Sequence, residues 1–391
     1  MFTVFIFIAV LAVLVLSHEW GHFVVARKSG MKVYEFGFGF PPRLFGVQKV
    51  VDGQGKSKWR FIWGKKTDEE SAGGTVYSFN IVPLGGFVRI KGEDGQEQGP
   101  DSFAAQKTWQ KAATLMAGVA MNIILAFVLL SLGFVLGAPQ ATNGIPSGAT
   151  VENSHIEIMD VAKDKPAAEA GLQMGDIIVS LDSLANPSVT AMQEYVDAHK
   201  DSVIAVTVQR GDERITKEIH PFVYADTGKG GLGISLVEVG TVRYVWYKAI
   251  YYGALMTLLY LKEIFLSFYY LIAQLFAGAS VSGSLSGPVG IAVMTGKVAK
   301  MGFNYLLNFT ALLSLNLAVL NVLPIPALDG GRLLFVIIGK IKGGAVKQKY
   351  EQVAHGIGFF LLISLVIFIT IKDLGKFGGM FSALLHKIIG S

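Results

Sequence analysis

The 391-residue chain is 52% apolar and only 16% charged, with a mean hydropathy of +0.49. These values exclude a purely soluble domain and describe a polytopic membrane protein carrying some soluble mass. There is no cysteine, so disulfides and thiolate metal ligands are excluded; the pI of about 9.1 comes from basic residues flanking apolar segments, with no nucleic-acid motif among them.

The first expected span covers residues 2–26 and is followed by Arg27 and Lys28. No basic residue precedes it and no small-residue cleavage site follows, so it is expected to be retained. Inside it lies His18-Glu19-Trp20-Gly21-His22. On a helix, H-E-x-x-H places two imidazoles one turn apart on one face, able to bind one zinc, with the glutamate beside the metal as general base. Two interfacial histidines and a snorkelling glutamate are the alternative, but ionisable groups within a span are costly and point to function. Next, residues 34–90 alternate apolar, aromatic and Gly residues, as in Gly37-Phe38-Gly39-Phe40 and residues 75–90. They read as β-strands, either dipping into the membrane or forming a small cytoplasmic hairpin.

A second span is expected at 112–137, a third at 305–323 and a fourth at 354–371, giving a polytopic α-helical membrane protein of about four transmembrane helices. Between the first two spans, residues 27–111 hold 14 Lys/Arg and 9 Asp/Glu, a net of +5. Residues 138–243 hold 8 against 15, a net of −7, and the last connection is basic. The positive-inside rule therefore puts the first and last loops in the cytoplasm and the acidic domain outside. Residues 244–276 are apolar and aromatic but interrupted by Lys248, Lys262 and Glu263. A single crossing here would turn the end of the third span away from His18 and His22, so an interfacial amphipathic helix is favoured over a fifth span.

The acidic domain reads as mixed α/β, with strands at 176–181, 203–210 and 214–219, a turn at Gly211-Asp212-Glu213, and a helix at 190–199. Ala170-Gly171-Leu172-Gln173-Met174-Gly175-Asp176-Ile177-Ile178 resembles a PDZ signature, and Gly231-Leu232-Gly233-Ile234 resembles the carboxylate-binding loop of circularly permuted bacterial PDZ domains. Such a loop presents backbone N–H groups to a peptide C-terminus. The same glycines also suit a plain linker.

A catalytic zinc held by two histidines needs a third protein ligand, leaving the fourth position for water. Asn321-Val322-Leu323-Pro324-Ile325-Pro326-Ala327-Leu328-Asp329-Gly330-Gly331 ends the third span, where prolines break the helix and glycines allow a tight turn. Asp329 is the candidate ligand, or else only the cap of a following helix. His355 is a rival ligand on the same side, or an interfacial histidine.

With these segments the chain resembles the site-2 protease family of intramembrane metalloproteases, in its bacterial RseP-like form with one inserted PDZ domain. Further matching motifs are Gly118-Val119-Ala120-Met121-Asn122, Pro83-Leu84-Gly85-Gly86-Phe87-Val88 and Ser286-Gly287-Pro288-Val289-Gly290-Ile291. The resemblance implies Zn2+ on His18, His22 and Asp329, Glu19 as base, and Asn321 holding the substrate backbone. It also implies that residues 34–90 are a membrane re-entrant β-loop whose edge pairs with extended substrate. Gly118 and Asn122 match the family's second-span motif, although small-residue helix packing explains them equally well.

The resemblance further implies a multi-pass protein of the bacterial inner membrane. Its substrates are single-span membrane proteins, such as anti-sigma factors or remnant signal peptides, and peptide C-termini bind at Gly231, Leu232, Gly233 and Ile234. Partners are thus membrane-protein substrates and the lipid bilayer, not nucleic acid. The expected domains are a membrane core at 1–137 and 301–391, the PDZ domain at 138–243 acting as a size filter, and a connector at 244–300. The competing readings are a transporter, which calls for internal repeats of broken helices that the sequence lacks, and a PDZ scaffold, which leaves Glu19 without a purpose.

Overall fold

A computed structural model describes residues 2–51, 56–64, 74–93, 97–142, 145, 148–211, 213–224, 227–277, 287–344 and 346–389. Helix α1 (Phe2–Lys28) ends where Arg27 and Lys28 meet its C-terminal dipole. Gly30 follows at φ +81°, and bonds from Met31 N–H to Ala26 O (3.0 Å) and from Gly30 N–H to Arg27 O (3.1 Å) close a Schellman turn. Strands β1 (Val33–Val51), β2 (Ser57–Trp63) and β3 (Val76–Ile90) then form an antiparallel sheet in the order β2-β1-β3. β1 and β3 double back: Phe36 pairs with Tyr77 on one side and Val88 on the other, which leaves residues 86–90 along an outer edge. Phe38, Phe79, Phe45, Phe61 and Trp63 ladder across one face, neighbouring centroids 5.2 to 6.2 Å apart. Buried Glu35 and Arg43 neutralise each other at 2.9 Å.

Helix α2 (Thr108–Leu136) crosses α1 at backbone contact: a Cβ on Gly21 would lie 2.2 Å from Ala117 O. There follow β4 (Ala138–Ala141), β5 (Thr150–Val161), β6 (Ile177–Leu181), α3 (Val189–Ala198), β7 (Ile204–Arg210), β8 (Glu213–Ile219) and β9 (Ile234–Arg243). They build a sheet ordered β4-β9-β5-β6-β7-β8, with Leu184–Ala185 added to β6. α3 begins at Ser188, whose Oγ accepts from Ala191 N–H at 3.1 Å. It packs Met192 and Val196 on Ile156, Ile158, Leu181, Val206 and Val208. Buried Asp176 accepts from Arg210 Nε and Nη2, each at 2.7 Å. The expected strands and helix of this domain fall on β6, β7, β8 and α3; Asp212 of the expected turn lies outside the described residues.

The chain closes with α4 (Trp246–Phe276), α5 (Pro288–Met301), α6 (Phe303–Val322), α7 (Asp329–Ile341) and α8 (Gln348–Ile389). Among the described residues five helices are long and apolar enough to cross a membrane: α1, α2, α4, α6 and α8. Four coincide with the expected spans, each starting or ending a few residues away, because helix continues into polar residues such as Thr108 and Gln348 that a hydropathy window excludes. α4 is the fifth, and it lies over the segment expected to be interfacial. Its Met256, Tyr260, Leu261 and Ile264 pack on Ala126 and Leu130 of α2 and Ala311 and Leu315 of α6. α5 was not expected as a separate helix; Ser286, the first residue of its motif, lies outside the described residues. The chain folds as two compact units, Met1–Leu130 with Gly253–Ser391, and Ser131–Tyr252.

Candidate metal centre

The helical spacing of H-E-x-x-H puts His18 and His22 on one face of α1, with their Nε2 atoms 3.1 Å apart. Asp329, the first residue of α7, brings Oδ2 to 3.1 Å from His18 Nε2 and 3.3 Å from His22 Nε2. That oxygen is buried and makes no directed hydrogen bond to either ring. Two imidazole nitrogens and an unpartnered carboxylate oxygen thus converge on one point. Among the described residues they form the one group of His and carboxylate side chains able to hold a metal ion. Bonds of about 2.0–2.1 Å at tetrahedral angles put ligand atoms about 3.3 Å apart, so the donor set fits zinc in both chemistry and spacing.

The surroundings fix the rings. His22 is buried, and its Nδ1 donates to Thr114 O at 2.8 Å, which turns the Nε2 lone pair towards Asp329. His18 Nδ1 lies 3.4 Å from the amide nitrogen of buried Asn122, whose Oδ1 has no partner. Half a turn of that amide, which preserves its shape, gives Oδ1 the Nδ1–H of His18 and leaves Nε2 for the metal. Ser314 Oγ donates to Asn122 O at 2.7 Å and ties α6 to the same point. Gly118 admits no side chain, since a Cβ there would lie 2.4 Å from His22 Nε2. Gly330 and Gly331 are equally constrained by Leu323 O and Ile325 O, at 2.2 and 2.3 Å.

Glu19 lies between the histidines, half-buried, and its Cγ sits 3.4 Å from where a Cβ on Gly86 would stand. The outer edge of β3 therefore passes directly over it. Asn321 is half-buried in the last turn of α6. His355 is not a member of the group: its Nδ1 accepts from Ala327 N–H at 2.7 Å. Arg332 of α7 pairs with Glu93 just past β3. Neither that ion pair nor the Thr114 carbonyl carried a sequence signal, the one joining distant segments and the other being backbone.

In the second unit, Gly231, Leu232, Gly233 and Ile234 line a cleft of about 780 Å³ with Met192 and Val196 of α3. β4 covers β9 only at residues 239–242, so the start of β9 keeps an edge facing α3.

Helical spans carrying an imidazole, imidazole and carboxylate cluster beside a glutamate define a membrane metallopeptidase. The model of Peptidase family M50 matches residues 6–62 and 54–365. The chain belongs to that family, and it is a zinc metalloprotease that hydrolyses membrane proteins within the membrane. A Clostridium perfringens protein provisionally named as a zinc metalloprotease is 31% identical over 96% of this chain and 98% of its own length. The regulator of sigma-W protease RasP of Bacillus subtilis is 28% identical over 96% and 98%. Among solved structures, the PDZ domain of an SdrC-like protein from Listeria monocytogenes is 26% identical, covering 22% of this chain and 92% of that one with a TM-score of 0.21.

Proposed function

We propose that His18, His22 and Asp329 hold the catalytic zinc and that Glu19 is the general base. The convergence of two imidazole nitrogens and an unpartnered carboxylate oxygen beside a glutamate carries this reading. Zinc, when bound, supplies Lewis acidity towards water and the scissile carbonyl. Glu19 takes the proton of the attacking water and passes it to the leaving amide nitrogen. A helical substrate hides its amides in its own hydrogen bonds, so it unwinds first, and the edge at residues 86–90 pairs with the extended stretch beside Glu19. Asn321 holds the substrate backbone. Glu19→Gln is expected to keep zinc bound and to lose cleavage of a membrane-embedded substrate by at least about 100-fold; near-normal cleavage refutes the assignment.

Landmarks in the first unit support a reading of four crossings. Gly296 of α5 abuts Thr3, about 28 Å of helix from His22. Asp373 of α8 accepts from Gly287 and Gly290 N–H at 2.9 and 2.7 Å, about 27 Å of helix from His355 beside the Asp329 turn. α5 thus belongs to the face opposite the metal, and α2 heads there from Gly118. The chain from α2 to α5 makes no net crossing, which favours α4 as a helix seated on the remote halves of α2 and α6. The loop charges put the metal on the cytoplasmic side and residues 138–243 outside.

The second unit is a PDZ domain whose cleft takes a substrate C-terminus along β9 and which filters substrates by ectodomain size. Single-span proteins, such as anti-sigma factors or remnant signal peptides, are the substrate class.

A further inference from the structure

The turn that delivers Asp329 is under backbone strain. Ala327, two residues earlier, sits at φ +79°, a left-handed conformation that a side chain disfavours. Leu328 at the N-cap of α7 offers no side-chain acceptor, so the helix that begins at Asp329 does not fix its own start. The hold comes from α8. His355 Nδ1 accepts from Ala327 N–H at 2.7 Å, and the His355 ring rests against Phe335 of α7 with centroids 5.6 Å apart. One turn along α8, Gly358 lets the helix backbone reach the loop, since a Cβ there would lie 2.4 Å from Pro326 O. Accepting at Nδ1 requires a neutral ring protonated at Nε2.

We propose that His355 is a positioning residue of the peptidase reaction: its hydrogen bond holds the left-handed turn at Ala327 and so aims Asp329 Oδ2 at the metal. This rests on Asp329 being a zinc ligand. Ligand orientation by an outer group is worth about 10- to 100-fold in metal affinity. The role asks only for an acceptor at the place of Nδ1, which an asparagine carbonyl reaches and a glutamine carbonyl overshoots.

The test uses the full chain in detergent, measuring zinc affinity by chelator competition and kcat and KM on a membrane-embedded substrate. His355→Ala is expected to weaken zinc about tenfold and lower kcat, with KM little changed. His355→Asn restores most of both, and His355→Gln does not. Ala327→Gly removes the side-chain penalty of the turn, so His355→Ala combined with it costs less than half as much on a logarithmic scale. Wild-type behaviour of His355→Ala would overturn the positioning role. So would a His355→Asn as defective as His355→Ala, or a loss left unchanged when Ala327→Gly is added. Asp329→Ala, measured alongside, separates the layers: normal zinc affinity there overturns the ligand reading itself, whereas lost affinity there with an unaffected His355→Ala overturns only the positioning role.

Discussion

At position 118, any Cβ would meet His22 Nε2 at 2.4 Å and His18 Cε1 at 2.6 Å. Gly118→Ala is therefore expected to weaken zinc at least about tenfold. Alanine favours a helix interior over glycine by about 1 kcal/mol, which offsets part of the clash, so once the two rings turn aside the thermal midpoint of the metal-free protein should fall little. A parallel drop in both would make Gly118 a packing residue only. The sequence left that choice open, because a small residue in a span serves close helix packing and close approach to a ligand alike. His18, Glu19 and His22 were legible because the motif is local. Asp329 was legible only through the need for a third ligand, since more than three hundred residues separate it from His18. The acceptor role of His355 was not, because it depends on one backbone N–H across two helices.

Among the elements, β3 and α7 are joined at the site's rim by the Glu93–Arg332 pair, with Glu93 and Arg332 side chains 24% and 39% exposed. If this pair sets the strand edge against the metal-bearing turn, Glu93→Arg and Arg332→Glu each lower kcat/KM several-fold, and the double exchange recovers part of the loss. Additive losses would show that the two residues act separately. Pairing of substrate along the same edge, as proposed, needs extended backbone. A Gly or Pro placed at the centre of a substrate span should then raise its cleavage rate severalfold over a Leu-rich one; equal rates would remove the edge-pairing role. Strand alternation made this sheet readable, but its double-backed pairing was not, since each half of β1 meets β3 in its own register. The cap on α5 was equally hidden, supplied by Asp373 from more than eighty residues away.

Across the whole molecule, the proposed topology leans on charge more than on hydropathy. Length and composition admit five crossings among the described residues, and the proposal of four rests on the balance of +5 and −7 in the loops with the landmarks at Thr3 and Asp373. Single cysteines at Lys58 and Gly344 should label from the cytoplasm, and one at Gly211 from outside, there being no native cysteine to interfere. Labelling of positions 211 and 344 from the same side would sink this topology. Every member of the metal cluster belongs to the first unit. Replacing residues 145–236 by a short linker should leave zinc per chain unchanged and admit substrates with untrimmed ectodomains; persistent exclusion would place the filter elsewhere.

The central claim is that one zinc is shared by α1 and the start of α7, and zinc content per purified chain tests it most directly. Wild type and Glu19→Gln are expected to carry about one zinc per chain, while His22→Ala and Asp329→Ala, folded by circular dichroism, carry almost none. A stoichiometric zinc retained in Asp329→Ala would contradict the account, because the metal would then be held without the residue that joins the two halves of the membrane unit.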